Sequence, residues 1–278
     1  MKLATVVVCY YPKEDLLENI NSYRSLSDIL FVWDNTPGGS DIVRAIPDKA
    51  PFRVLNSGGE NHGLSYAYNR AIELAQKEGC THIMTMDQDS CFEHFDHFVK
   101  AVASCEDRAY GMFCPPINNP ELEHDTEVPH AAQSGCVFDL RMVDEIGGFR
   151  EDFFIGMVDV EMQLKAARAG YKMLCVAGCN LVHHVGSGRE VKFLGHKVVV
   201  SDYNPLRHYY DSRNRILMWH EFPDDYTFGG KLKHYLNRLK TMAKIVMFED
   251  GKWPKTKAII QGTYFGMIDR AKPFEGKK

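Results

Sequence analysis

Residues 3–10, LATVVVCY, form an unbroken apolar and β-branched run, the pattern of a strand buried on both faces. After Pro12 the period changes: Leu16, Leu17, Ile20 and Tyr23 fall at helical intervals and predict a helix over 13–25. A second apolar run, 28–33, stops at Asp34-Asn35 and a Pro37-Gly38-Gly39 turn. A third, 52–56, leads through a glycine-rich loop into a helix over about 64–76, and a fourth, 82–86, stops at Asp87-Gln88-Asp89. A helix (about 95–104), a strand (110–114) and a polar, proline-bearing loop (115–129) come next. Hydrophobic patterning returns over 134–170, and from about residue 226 Leu232, Leu236, Leu239, Ala243 and Val246 recur along one face of a basic amphipathic pattern. Continuous apolar strands alternating with helices predict an α/β fold built on a parallel sheet covered on both faces. The change at 226 divides the chain into a domain over 1–225 and a basic helical extension over 226–278.

The polar residues gather where those strands end, at Tyr10-Tyr11, Asp34-Asn35, 57–62 and 87–90. In open α/β sheets the carboxyl edge of the strands is where ligands bind. Alternation in an extended segment points Asp87 and Asp89 the same way. Two hard oxygen ligands held together suit Mg2+ or Mn2+, and a solvated acidic turn is the plain alternative. Asp159 and Glu161 open an amphipathic helix, where an acid is often only the complement of the helix dipole. Phe153, Phe154 and Ile155 just before them could instead wall a partly dry pocket around a general base.

The composition, 45% apolar and 25% charged over 278 residues, is that of a folded globular chain. The net charge of −4 is uneven: residues 229–278 carry 12 Lys/Arg against 4 Asp/Glu, which leaves −12 for residues 1–228. An acidic body argues against nucleic acid as a partner. The basic end fits either an anionic membrane surface or a solvated helix face. No apolar stretch approaches the ~18 residues of a spanning helix. Eight scattered cysteines without a CxxC pair fit buried thiols, so a cytoplasmic protein is expected, peripheral at most on the inner membrane. A doubly wound dehydrogenase is disfavoured because YYPKED, not a glycine-rich pyrophosphate loop, follows the first strand.

In order along the chain stand TVVVCYYP, VWDNTP, NHGLSYAYNRAI, MDQDS, QSGCVFDLRMVDEIGGFREDFFI leading into VDVE, then HHVG and HYYDSRN. This series resembles the family 2 glycosyltransferases of GT-A fold, and more narrowly their rhamnosyltransferase-like branch, over most of residues 3–215. The resemblance implies a GT-A (Rossmann-like) α/β fold with a mixed, mainly parallel central sheet. It also implies an inverting, metal-dependent transferase. The donor would be a dTDP-sugar or UDP-sugar, dTDP-rhamnose first, and the acceptor a glycan or lipid-linked glycan. By position, Asp34 would contact the nucleotide base beside Tyr10 and Tyr11, Asp87 the ribose and metal, and Asp89 the metal, with His183 as a third ligand. Asp159 would be the catalytic base, and Arg213 and Asn214 would lie near the diphosphate or acceptor. Gly63 and Asn69 either contact the nucleotide or only shape the turn and cap the helix, and His183 is either a metal ligand or a structural histidine. Gly156, Met157 and Val158 depart from the acidic pattern of many relatives, which puts acceptor recognition in question and leaves an inactive nucleotide-sugar-binding or membrane-docking scaffold as the alternative.

Overall fold

A computed structural model of the chain describes residues 1–183, 188–193, 195–268 and 271–275. They form two compact units, Met1–Glu151 with Val158–His184, and Asp152–Met157 with Val185–Lys278.

In the first unit, the apolar runs become β1 (Leu3–Cys9), β2 (Ile29–Asp34), β3 (Phe52–Asn56) and β4 (His82–Asp87), with every residue of β1 buried. Later strands are β5 (Ser90–Glu93), β6 (Tyr110–Cys114), β7 (Thr126–Glu127), β8 (Val137–Asp139), β9 (Lys172–Cys175) and β10 (Asn180–His183). The main sheet runs β3-β2-β1-β4-β8-β6-β9-β7. Pairings β1 with β2, β1 with β4, β2 with β3 and β6 with β9 are parallel, while β8 and β7 pair antiparallel to their neighbours. The sheet is thus mixed and mainly parallel, and its order reverses at β1, the switch point where α/β proteins bind ligands. The core combines Val7, Leu30, Met84 and Phe113 from the strands with Leu16, Ile20, Phe95 and Phe98 from helices α1 (Leu16–Asn21) and α4 (Phe95–Ser104). A short helix α2 (Asp41–Arg44), the long α3 (Leu64–Lys77), α5 (Leu140–Ile146) and α6 (Val158–Arg168) complete the unit.

The predicted helix over 13–25 is shorter than its periodicity suggests. The Ser22 hydroxyl donates to the Asn19 carbonyl and accepts the Phe92 amide at 2.8 Å, so the end of α1 is tied to β5 and the chain turns there.

The second unit holds a hairpin, β11 (Arg189–Phe193) with β12 (His196–Val200), and three helices, α7 (Pro205–Glu221), α8 (Phe228–Phe248) and α9 (Lys252–Met267). Asn204 caps α7 and Thr227 caps α8, each accepting a first-turn amide on its side-chain oxygen. The predicted boundary at 226 does not match this division, because α7 packs on α9. The approach is close: a Cβ at Gly262 would lie 2.3 Å from the Tyr209 carbonyl oxygen, and one at Gly266 2.9 Å from that of Arg213. Leu206, Tyr209, Tyr210 and Ala258 form the core of this unit, with Phe154, Ile155, Phe265 and Phe274 against them.

Candidate active site

Three loops at the carboxyl ends of β1, β2 and β4 are stitched together by side chains. Gln88 accepts the Tyr10 amide at 2.8 Å and donates back to the Tyr10 carbonyl at 3.1 Å, so the end of β1 is clamped to the segment between the two aspartates. The Tyr11 amide donates to the Thr36 hydroxyl, which joins the same loop to the end of β2. Tyr10 and Tyr11 are exposed and meet edge to face at 4.7 Å. Asp34 is buried, its two oxygens accepting the amides of Thr36 at 2.9 Å and Ser40 at 2.6 Å, and its carboxylate therefore holds the loop over 36–40.

Gly63 precedes α3 at φ +84°, a region open to glycine, and its carbonyl accepts from Asn35 at 3.0 Å. Asn69 does not cap the helix: it lies within α3, donating to the Phe149 carbonyl at 2.8 Å and accepting the Phe149 amide at 2.9 Å.

The two aspartates meet a residue 93 positions from Ser90. Antiparallel pairing of β5 with β10 sets His183 opposite Ser90, next to Asp89 in the chain. Asp87, Asp89 and His183 each offer one ligand atom, all within 4.8 Å of one another, and all three are half-buried. His183 Nδ1 lies 3.8 Å from Asp89 Oδ1 and 2.7 Å from Ser90 Oγ. Ser134 donates to Ser90 at 2.9 Å and accepts the Asp87 amide at 3.1 Å, so both serines lie beneath the cluster. The hydrogen bond between Ser90 and Nδ1 orients the imidazole beside the two carboxylates. Two carboxylate oxygens, one imidazole nitrogen and partial exposure fit a six-coordinate Mn2+ or Mg2+ that retains waters or phosphate oxygens. His94 and His97 join no such cluster among the described residues. The HxxG residues His184 and Gly186 lie outside the described residues.

Asp159 is half-buried in the first turn of α6 and accepts its neighbour's amide, that of Val160, at 2.9 Å. It shares an electrostatic environment with Asp87. The buried Tyr68 hydroxyl, which has no hydrogen-bond partner among the described residues, has its pKa pushed up by burial first and then by the charges of Asp87 and Asp159. The buried Cys136 thiol is raised by burial, then by Asp159, Cys175 and Asp87. Tyr68 and Ser134 belong to no chemical motif in the sequence, and Ser90 only closes the polar run over 87–90. A serine next to a candidate metal motif is a signal for Ser90 alone.

Arg213 and Asn214, expected near the diphosphate or acceptor, lie in α7. Both are fully buried in the second unit. The Arg213 guanidinium donates to the carbonyls of Lys272 and Asp152 and to the Asn214 side chain, with the Tyr210 ring 4.7 Å away. Asn214 donates to the carbonyls of Ile155 at 3.0 Å and Gly156 at 2.9 Å. Together they pin the loop over 152–156, which continues through Met157, strained at φ +64°, into α6. A Cβ at Gly156 would lie 2.4 Å from Asp211 Oδ1, so a carboxylate from α7 stands beside the neutral segment. All eight cysteines are free, five of them buried.

No family model matches the chain. A dTDP-rhamnosyl transferase of Shigella flexneri, RfbF, is 24% identical over 184 residues, which is 58% of this chain and 60% of that protein. Among solved structures, the mannosyltransferase PcManGT of Pyrobaculum calidifontis, in complex with GDP-Man and Mn2+, superposes with a TM-score of 0.58 at 14% identity, over 96% of this chain and 87% of its own. S. aureus TarS 1-349 in complex with UDP-GlcNAc superposes with a TM-score of 0.56 at 15% identity, over 95% and 82%. With the mixed sheet and its switch point at β1, these superpositions show that the chain has the fold of the GT-A glycosyltransferases.

Proposed function

We propose that the protein is an inverting, metal-dependent glycosyltransferase acting in cell-surface polysaccharide synthesis. It would move a sugar from a nucleoside-diphosphate donor to a hydroxyl of a glycan or lipid-linked glycan. The observation that carries this reading is the convergence of Asp87, Asp89 and His183 at the carboxyl edge of the sheet. The partial match to a dTDP-rhamnosyl transferase supports dTDP-rhamnose as the first donor to test, with a UDP-hexose second. Tyr10, Tyr11, Asp34 and Gly63 then form the nucleotide side of the site.

In this reading the Asp159 carboxylate takes the proton of the acceptor hydroxyl. The freed oxygen attacks the anomeric carbon opposite the leaving nucleoside diphosphate, so one displacement inverts the configuration. Asp87, Asp89 and His183 would hold the cation, which when bound would supply positive charge against the leaving diphosphate. Arg213 and Asn214 act at a distance as positioning residues, through the loop they pin. The protein would work in the cytoplasm, with its basic C-terminal segment towards the inner membrane.

The test is to titrate dTDP- and UDP-sugars with Mn2+ by calorimetry and then to follow release of nucleoside diphosphate with candidate acceptors. Asp159→Asn should retain donor binding and lose transfer by at least ~1,000-fold, the upper part of the range for general acid–base catalysis. Full activity in that variant removes the base. Donor binding without turnover by the wild type favours the scaffold alternative.

A further inference from the structure

A surface helix ordinarily turns its apolar stripe inward. Helix α8 does the opposite. At about 100° per residue, Phe228, Leu232, Leu236, Leu239, Val246 and Met247 share an arc of about 100°, and each is 49–83% exposed. The buried residues of α8, His234 and Ile245, lie on the far side of the helix. The predicted apolar face is therefore real, and it points to solvent. The next helix, α9, repeats the arrangement: Trp253, Ile260, Tyr264 and Met267 are 51–71% exposed along one side, opposite the buried Ala258, Gly262 and Gly266.

An outward row of large apolar side chains over about five turns requires a partner. Its chemistry is indicated by the surrounding charge. Residues 228–268 carry eight Lys/Arg against two Asp/Glu, and the exposed Lys233 and Lys240 lie at the border of the arc on α8. A symmetric contact between two copies of this face would bring those lysines towards one another, which like-charge repulsion opposes. An anionic bilayer satisfies both features, since acyl chains take the leucines while lipid phosphates take the lysines. No helix among the described residues is long and apolar enough to cross a membrane.

We infer that α8 is a membrane-contact element that lies in the plane of an anionic lipid interface with its leucine row immersed. This gives the membrane placement above a specific surface and does not depend on the transferase reading. Immersion rather than charge alone holds the helix, so binding has a part that survives salt.

The full chain is tested by cosedimentation with vesicles of phosphatidylcholine, with and without phosphatidylglycerol, at low and high salt. Wild type should bind the anionic vesicles and keep a measurable fraction of that binding in high salt. Replacing Leu232, Leu236 and Leu239 together by Ser should weaken partition by about tenfold or more, since each substitution removes apolar area from the lipid contact. These side chains are exposed, so the variant should retain its circular dichroism and its Mn2+ binding at the first unit. Lys233→Glu with Lys240→Glu should abolish the preference for anionic vesicles. Unchanged binding by the serine variant overturns the proposal, as does absence of wild-type binding. A concentration-dependent dimer that the serine variant dissolves, without vesicle binding, overturns it in favour of self-association. Donor turnover is read on the same samples, so failure of the transferase reading leaves the vesicle result standing, and the reverse.

Discussion

Ser90 touches no substrate in the proposed reaction, yet it orients the ring that completes the cluster. Its hydroxyl meets His183 Nδ1 at 2.7 Å and receives a hydrogen bond from Ser134. Removing it frees both the ring rotation and the tautomer of His183. Ser90→Ala should weaken Mn2+ by about 10–100-fold, the usual cost of losing a partner that orients a ligand. Calorimetric titration of Mn2+ against the variant, without nucleotide, checks this; an unchanged affinity would mean that His183 is held by other groups. Arg213 gives a prediction of another kind. Arg213→Met leaves the carbonyls of Lys272 and Asp152 without their donor in a fully buried place. The loss should be on the order of 3 kcal/mol of stability, read from the denaturation midpoint. Asp87 and Asp89 were legible in the sequence because two neighbouring residues are enough to state a pair of ligands. Ser134 was not, because only the folded sheet brings it to Ser90, 44 positions away. For Arg213 the sequence shows a charge in a motif, which suggests a ligand contact, and only the fold shows that its guanidinium donates to two backbone carbonyls.

The strands were the legible elements. Runs buried on both faces, such as β1 and β4, can be read directly, and their ends fall within a residue or so of the predicted limits. Short elements that depend on a distant partner were not: β5 is four residues long and exists through β10. The row on α8 was seen but not its direction, because periodicity gives a face and cannot say what covers it.

Two of these helices also carry an acid-sensitive device. His208 in α7 and His234 in α8 are buried. Burial is the first cause that lowers each pKa, to about 4; around His208 the cations Arg238, Lys255 and Arg207 add to it against Glu249, and around His234 Arg238 and Arg215 do so. Above pH 6.5 both states of the protein hold these rings neutral, and nothing changes. From 6.5 down to about 4 the unfolded chain gains the protons and the folded chain does not. Stability should therefore fall as pH falls through that window, by up to about 1.4 kcal/mol per pH unit for each ring. Urea denaturation between pH 7.5 and 4.5 measures the slope, and His208→Leu should flatten it. A slope that is unchanged in this variant would assign the acid sensitivity elsewhere.

For the molecule as a whole, the two units answer to different conditions. Both depressed histidines belong to the second unit, and the cation cluster belongs to the first. Hydrogen exchange should show acid opening α7 and α8 first. Mn2+ with a nucleotide should protect residues 87–93 and 180–183; at a concentration 100 times Kd the linkage is worth about 2.7 kcal/mol. Uniform protection across both units would mean that the two open as one.

The pairing of β5 with β10 has a consequence for how the protein is made. Both aspartates emerge from the ribosome early, but the imidazole that completes the cluster belongs to the last strand of the first unit. A nascent chain halted at Cys179 carries the whole acidic motif and still has no third ligand. In the proposed reading, cation capture thus becomes a late event in synthesis, a chemical signal that β5 and β10 have paired.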